Sequence, residues 1–208
     1  MRTLLRSARA AFPLGAAAGI MIGIGGAVLL SVENRIAGAV LFAVALLSIC
    51  MLGLVLYTGK IGFLVTEHSA GDISSVLSGL AGNAVGCAVS AIAVRTVRPA
   101  LSLRAAEMCS AKLTQTPLAT LFAGILCGIL MYTAVAVYRE KNSPLGILFC
   151  VPVFILAGFE HSIADMFYFF LAGVVRGRAA LFLLLVVLGN TIGGMLIPAL
   201  RCAAGRNG

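Results

Sequence analysis

The nine residues 159–167, Phe-Glu-His-Ser-Ile-Ala-Asp-Met-Phe, place two carboxylates and a histidine between two apolar runs. About 15 apolar residues precede Glu160, and a second apolar run ends at Gly173. Neither run reaches the roughly 20 residues that a helix needs to cross the hydrocarbon of a bilayer. Ionisable groups are tolerated at membrane depth when they face a partner or an aqueous cavity, and interrupted spans when their backbone is buried in protein. The stretch therefore indicates a broken membrane span with a polar site at its break.

The rest of the chain has a composition that suits lipid. Of its 208 residues, 61% are hydrophobic and 11% are charged, and the mean hydropathy is +1.10. Soluble domains have about 45–50% apolar and about 25% charged residues. These values exclude an ordinary soluble enzyme, a disordered chain and a coiled coil. A net charge of +8 fits membrane lipids and an anionic permeant rather than nucleic acid.

Charged residues divide the chain into six long uncharged runs of 23, 24, 22, 26, 18 and 22 residues. We therefore predict six transmembrane helices; an outer-membrane barrel would instead show alternating segments of about ten residues. The second run is also interrupted, near Thr58 and Lys60. The alternative is that the charges simply mark helix ends, with the short apolar pieces lying in loops.

Three features of the first half recur in the second half, in the same order and at nearly one spacing. Because three spans in each half is an odd number, the halves must have opposite topology. Inverted repeats with discontinuous helices indicate a substrate path near the midplane, although small-xxx-small pairs are common packing motifs in any membrane protein. We predict one domain, 1–208, with repeats at about 10–97 and 113–203. The matching features are Gly19-x-x-x-Gly23 with Gly124-x-x-x-Gly128, Thr58 with His161, and Gly82-Asn83-x-x-Gly86 with Gly189-Asn190-x-x-Gly193.

The orientation of the chain follows from the span count and the basic N-terminus. An even number of spans places both termini on one side of the membrane. Basic residues tie between the two sides, so the positive-inside rule does not decide by itself. Arg2, Arg6 and Arg9 precede the first span and favour the cytoplasm. We expect a multi-pass protein of the cytoplasmic membrane with both termini in the cytoplasm.

The stretch 159–167 resembles the formate/nitrite transporter family, which includes formate, nitrite and hydrosulfide channels. Three further stretches agree, and together they extend the resemblance over roughly residues 10–203. It implies an aquaporin-like all-α fold with helices 2 and 5 broken, a homopentamer with one pore per protomer, and passage of small monovalent anions or their conjugate acids. The further stretches are Leu56-Tyr57-Thr58-Gly59, Ala111-Lys112-Leu113 with the following 124–127, and Gly189-Asn190-x-x-Gly193.

The resemblance also implies roles for individual residues. His161 is the central pore histidine, Thr58 faces it from the second-helix break, Asn190 and Glu160 orient nearby groups, and Lys112 draws anions toward the mouth. Apolar constrictions are expected at Phe42, Leu46, Met131 and Phe154, and a cytoplasmic slit is expected at Leu56 and Tyr57.

The chain departs from the family pattern at two positions. Gly128 stands where the family usually has Asn, and Lys60 where it usually has a small polar residue or His. Lys60 is interpreted either as an additional anion attractor beyond the slit or as a snorkelling helix end. Arg95, Arg98 and Arg104 are interpreted as a solvated basic face or as contacts to lipid phosphates.

Elementary electrostatics supports a titratable group midway along such a path. An isolated charge cannot enter hydrocarbon, because its burial costs tens of kcal/mol in the Born limit. Basic vestibules raise the local anion concentration, and a histidine, whose unperturbed pKa is about 6.5, can give and take a proton so that a weak acid crosses uncharged. Thr58 and Asn190 would donate hydrogen bonds to the anion. The alternative for His161 is a structural histidine bonded to Asn190 or to a backbone carbonyl.

Two other function classes remain open at this point. One is a pore for neutral solutes such as water, ammonia or urea. The other is an intramembrane enzyme with Glu160 and His161 as an acid–base pair, for which Ser162 is the only nearby nucleophile; we expect no enzyme activity. The six cysteines form no CxxC, and the chain has no nucleotide fingerprint, so no disulfide frame, metal or cofactor is predicted. The sequence does not choose among formate, nitrite, hydrosulfide, acetate and lactate.

Overall fold

The computed structural model describes residues 2–205, with side chains from residue 5 onward, so the side chain of Arg2 lies outside the described part. Within it, every regular element is helical. The α-helices are α1 (Arg2–Ser31), α2 (Arg35–Met51), α3 (Tyr57–Lys60), α4 (Ala70–Val97), α5 (Ala100–Lys112), α6 (Pro117–Lys141), α7 (Leu145–Ala157), α8 (Ser162–Ala172) and α9 (Arg178–Ala203), and a 3₁₀ helix covers Ile61–Val65.

Four of these helices, α1, α4, α6 and α9, are long and apolar enough to cross a membrane. The pair α7 and α8 passes the same test together, with a bend of 54° between the two helices. By length and composition the described residues therefore contain four spans, or five with the bent pair. The remaining predicted span falls on α2, which has 17 residues, and on the short helices that follow it.

The chain leaves helical geometry near both expected interruptions. After α2, Gly53 adopts a left-handed φ of +65° and the chain stays non-helical until Tyr57. After α7, Gly158 has a φ of +74°, and α8 begins at Ser162. A left-handed φ is accessible to glycine without the steric cost that other residues incur. These two breaks carry Thr58 and His161 into the interior, where both are buried.

Two long-helix pairs, α1 with α4 and α6 with α9, pack closely through glycines. A Cβ added at Gly19 would lie 2.2 Å from the carbonyl oxygen of Asn83, and one at Gly86 would lie 2.0 Å from that of Ala16. In the second pair, a Cβ at Gly128 would lie 2.5 Å from the carbonyl oxygen of Asn190. Small residues that allow such close backbone approach are typical of membrane helix interfaces. This contact also gives the physical reason for Gly128, since an Asn would not fit there.

Side chains satisfy the free backbone groups at several helix starts. Asn34 accepts a hydrogen bond from the Ala37 N–H at the start of α2. Ser69 and Asp72 form a capping box at the start of α4, and Thr116 caps α6. Such caps replace hydrogen bonds that the first turn of a helix cannot make internally.

Arginines bind the exposed carbonyl groups at three helix ends. Arg95 donates to the carbonyl oxygens of Phe170 and Leu171 at the end of α8, at 2.8 and 2.6 Å. Arg104 donates to the Leu30 carbonyl at the end of α1 at 2.8 Å, and Arg35 binds carbonyls at the end of α7. A cation at a helix C-terminus is favoured by the free carbonyls and the helix dipole. The interpretation of Arg95 and Arg104 as a solvated face is therefore corrected: they hold helix ends.

Candidate functional site

Thr58 and His161 meet at the centre of the molecule. Thr58 Oγ1 and His161 Nε2 are 2.8 Å apart, and the imidazole is only 2% exposed. His161 Nδ1 accepts a hydrogen bond from the Ala164 N–H at 3.1 Å. Because Nδ1 is an acceptor, this bonding pattern assigns the proton of the neutral ring to Nε2, which donates to Thr58 Oγ1. The Thr58 hydroxyl proton is then available to another acceptor.

Phenylalanine rings cover the imidazole. The Phe154 ring stacks on the ring of His161, with centroids 5.5 Å apart and planes inclined by 19°. The edge of Phe42 packs against Phe154 at a centroid distance of 6.3 Å. All three side chains are buried. An ionisable ring is thus held within apolar surroundings.

Asn190 fixes the backbone around the second break. Its Oδ1 accepts from the Ser162 N–H at 2.8 Å, and its Nδ2 donates to the carbonyl oxygens of Gly124 and Glu160 at 2.8 and 2.9 Å. The amide therefore orients the residues next to His161. Both of its N–H groups are used, so in this arrangement Asn190 has none for a permeant, contrary to the expectation that it donates to an anion.

Asn83 fixes the backbone around the first break in the same way. It was not predicted as a site residue. Its Oδ1 accepts from the Tyr57 N–H at 2.9 Å, and its Nδ2 donates to the carbonyl oxygens of Gly15 and Val55, both at 2.8 Å. The Gly-Asn-x-x-Gly pattern shared with Asn190 was the signal in the sequence that could have identified it.

One lysine and two carboxylates form a buried cluster beside His161. Lys112 Nζ donates to Glu160 and lies 3.0 Å from Asp165 Oδ1. Gln115 Nε2 donates to the other oxygen of Glu160 at 2.7 Å. Glu160 and Asp165 are each 1% exposed. Burial lowers the pKa of Lys112, but attraction to Asp165 and Glu160 outweighs it, so the pKa is raised above its ordinary value. Lys112 thus stays cationic, but its charge is already paired.

The sequence analysis did not identify Asp165 or Gln115 as members of this cluster. Asp165 Oδ1 contacts Lys112, whereas Asp165 Oδ2 is buried and has no hydrogen-bond partner among the described residues. The signal was the position of Asp165 one helical turn after His161. Its ion-pair partner Lys112 lies on α5, far from Asp165 in the sequence, and residue spacing does not reveal such a contact.

Two cavities approach the buried pair. The larger, about 580 Å³, is lined by Phe42, Phe154, His161 and the three charged residues of the cluster, together with Glu33 and Arg35. The smaller, about 150 Å³, is lined by Leu46, Leu56 and Lys60, with Arg139 nearby in the same lining. Along α2, residues 35 and 42 line the first cavity and residues 46 and 50 line the second. The cavities therefore lie toward opposite ends of α2, with an apolar region between them.

Two predicted constriction residues have other surroundings. Met131 is buried and lines neither of these two cavities. Tyr57 also lines neither, and its hydroxyl is hydrogen-bonded to Thr191 Oγ1 at 2.6 Å. Phe42 and Phe154 line the larger cavity, and Leu46 and Leu56 the smaller. Of the twelve predicted site residues, eight thus line one of the two cavities, whereas Met131 and Tyr57, like the hydrogen-bonded Thr58 and Asn190, line neither.

Comparison with known proteins relates the whole chain to one family of membrane transporters. A model of the formate/nitrite transporter family matches residues 1–203. The nitrite transporter NirC of Salmonella typhimurium is 30% identical over 190 residues, covering 82% of this chain and 70% of the relative.

Two solved structures share the fold. One, described as an FNT family ion channel, superposes with a TM-score of 0.80 at 22% identity and covers 98% of both chains. The other, a pentameric formate channel with formate bound, gives a TM-score of 0.80 at 21% identity, covering 96% of this chain and 97% of that one. The resemblance expected from residues 159–167 is confirmed, and the chain belongs to the formate/nitrite transporter family.

Proposed function

We propose that this protein conducts small monovalent anions of the formate, nitrite and hydrosulfide class, and that the permeant exchanges a proton at the level of His161. The observation that carries the proposal is the buried Thr58–His161 pair, which lies between two cavities and beneath the Phe154 ring. The relatives are a nitrite transporter and a formate channel, which supports transport rather than enzyme chemistry.

The apolar region between the cavities sets the central energetic problem. Transfer of an ionised carboxylate from water into apolar surroundings, without compensating interactions, costs tens of kcal/mol in the Born limit. Phe42 and Phe154 offer no such compensation. The conjugate acid avoids most of this cost, because it carries no net charge when it passes the apolar region. At the narrowest part the Thr58 hydroxyl donates a hydrogen bond to the permeant, while its oxygen accepts from His161 Nε2.

The charged residues at the two cavities have different parts in this proposal. Lys112 and Arg35 lie at the larger cavity, and Lys60 and Arg139 at the smaller one. Basic groups at a mouth raise the local concentration of anions. The exposed position of Lys60 on the smaller cavity favours the role of an anion attractor. Glu160 holds Lys112 in place, and Asn190 positions the backbone of the break.

We extend the proposal to assembly and topology. We propose six spans in two inverted repeats within one domain, an aquaporin-like arrangement, and a homopentamer with one pore per protomer. The formate channel that shares the fold is pentameric, and the matching hydrogen bonds of Asn83 and Asn190 support the two repeats. The location is the cytoplasmic membrane, with both termini in the cytoplasm. Native mass spectrometry tests the pentamer, and labelling of single cysteines introduced at the termini tests the topology.

Flux into proteoliposomes tests the function. We expect saturable uptake of formate, nitrite or hydrosulfide, accompanied by a change in internal pH, with acetate and lactate competing to different extents. His161→Asn is expected to change both rate and pH dependence. His68→Asn alters the exposed second histidine and serves as the matched control. Anion flux no greater than in protein-free vesicles would exclude the function, and movement of urea or water without anions would point to a neutral-solute pore. Unchanged flux in His161→Asn would remove the histidine from the mechanism.

A further inference from the structure

The buried cluster beside the larger cavity has an unbalanced charge. Lys112 contacts both Glu160 and Asp165. If both carboxylates are ionised, the three side chains carry one net negative charge. Glu33 and Arg35, which also line this cavity, are exposed and have opposite charges, and Arg35 bonds to the carbonyls at the end of α7. An ionised cluster would repel the anions that the proposed function requires, so the charge state of this cluster decides how the cavity treats them.

Among the described residues, Lys112 is the cation that contacts Asp165. The neighbours with titratable or charged groups come from three helices and the break before α8. They are Lys112 and Cys109 on α5, Cys127 on α6, Tyr168 on α8, and Glu160 and His161 at the break. Two carboxylates that share one buried site do not both ionise readily, because like charges at close range repel. One proton shared by the pair makes the cluster neutral overall.

The hydrogen bonds indicate which carboxyl group carries that proton. Both oxygens of Glu160 accept bonds, from Lys112 and from Gln115. Asp165 Oδ1 contacts Lys112, but Oδ2 has no partner among the described residues although Asp165 is 99% buried and lines the cavity. An unpartnered buried polar atom costs about 1–3 kcal/mol. A ligand that accepts a hydrogen bond from an Oδ2–H would remove this cost.

We infer that Asp165 is a proton donor to the permeating anion. The inference rests on the proposed function and names Asp165, in place of His161, as the source of the proton. Asp165 Oδ2 is closed off from the cavity in this arrangement, so the carboxyl group first turns its Oδ2–H toward the permeant. The O–H bond then breaks, and a bond forms between that proton and the anionic atom of the permeant. The permeant continues as the neutral acid past Phe42 and Phe154. The Asp165 carboxylate that remains is stabilised by Lys112 until a hydronium ion from the cavity water returns the proton.

The hydrogen bonds of His161 also favour a proton source other than its imidazole ring. Its Nδ1 accepts the Ala164 N–H, so a second proton on the ring would place two N–H groups against each other. The ring could hold that proton only by giving up the cap on α8. Asp165 needs no such rearrangement. The competing view is that Asp165 is an ionised acid in the first turn of α8 that complements the helix dipole.

The variant Asp165→Asn separates these two views. Asparagine has the shape of the protonated acid and can accept from Lys112, but it cannot release a proton. We expect anion flux at neutral pH to fall by about tenfold or more, and the deficit to shrink at acidic pH, where more of the permeant arrives protonated. If Asp165 is instead ionised, Asn removes a repelling charge and flux at neutral pH rises, which would overturn the inference. Glu107→Gln, on the exposed side of α5, is the control and should leave flux unchanged.

Infrared spectroscopy of the purified protein provides a readout that does not depend on flux. We expect the C=O band of a protonated carboxylic acid in the wild type near neutral pH and its loss in Asp165→Asn. In Glu160→Gln, Asp165 becomes the sole carboxylate beside Lys112 and ionises, so the band should disappear there too. A wild type without the band overturns the inference even when anion flux is normal. A band without anion flux would instead count against the proposed function.

Discussion

Asn83 and Asn190 make the same three kinds of hydrogen bond at the two helix breaks. Each Oδ1 accepts the backbone N–H of the first residue of a short helix, and each Nδ2 donates to a carbonyl before that helix and to a carbonyl of the neighbouring long helix. An interrupted span leaves backbone groups without partners in a region that excludes water. The side chain of asparagine has one acceptor oxygen and two donor hydrogens, and this inventory matches the three free groups at each break.

Asn190→Asp should therefore destabilise the protein although it barely changes the shape of the side chain. The bond from the Ser162 N–H is kept, but a carboxylate oxygen replaces the group that donates to Gly124 and Glu160. Two buried carbonyls lose their donor, and each such loss costs about 1–3 kcal/mol. We expect a clear drop in the thermal unfolding midpoint of the detergent-solubilised protein. Asn142→Asp makes the same chemical change at an exposed helix end, and an equal drop there would contradict the explanation.

The close contact between α1 and α4 gives a second prediction. A Cβ at Gly86 would lie 2.0 Å from the carbonyl oxygen of Ala16, and backbone atoms cannot move aside as the end of a side chain can. Gly86→Val should therefore separate the two helices and abolish the monodisperse peak in size-exclusion chromatography. Ala81→Val, on the exposed side of the same helix, adds similar volume where no other helix of the protomer is in the way. A normal elution profile for Gly86→Val would show that the packing is looser than described.

The long helices and the location of the site could be predicted from sequence because lipid enforces simple rules. Uncharged runs of sufficient length predicted α1, α4, α6 and α9, and charges within apolar sequence predicted the breaks that hold Thr58 and His161. The residues Leu52 to Leu56 gave no such signal, because they are apolar or small and yet form the non-helical part of the first break.

Long-range polar partners could not be predicted from residue spacing. Arg95 and Arg104 bind backbone carbonyls, and a carbonyl has no sequence signature. Asp165 and Lys112 meet only because α5 packs against α8. Met131 has the apolar character of a constriction residue, but its direction depends on how its helix is rotated. These features arise from tertiary packing.

Lys112→Met should destabilise the protein strongly. The substitution leaves Glu160 and Asp165 without their cation, and removal of one partner from a buried ion pair typically costs about 3–5 kcal/mol. The double variant Lys112→Met/Glu160→Gln should recover part of the loss, because it also removes the unpaired charge. Thermal unfolding measures both effects, and Lys141→Met at the exposed end of α6 is the control. Equal stability of the single and double variants would contradict the ion-pair account.

The pH dependence of the stability that Lys112 contributes follows from its raised pKa. A cation whose pKa is higher in the folded protein stabilises it fully below the unfolded value, which is about 10.4 for lysine. The contribution is lost only as the pH rises through the higher folded value. The difference in unfolding midpoint between the wild type and Lys112→Met should therefore stay constant from neutral pH to about pH 9. A difference that disappears within this range would show that Lys112 loses its proton below about pH 9, contrary to its raised pKa.

The hydroxyl of Thr58 gives the last prediction, which compares two substitutions at one position. Thr58→Val keeps the branched shape but removes the acceptor of His161 Nε2–H, at 2.8 Å, and the hydroxyl proposed to donate to the permeant. If that donor stabilises the permeant at the narrowest point by about 1.4 kcal/mol, anion flux in proteoliposomes falls about tenfold. Thr58→Ser keeps the hydroxyl and should retain most of the flux. Equal impairment of both variants would contradict the donor role, because Thr58→Ser keeps the hydroxyl and lacks only the methyl group.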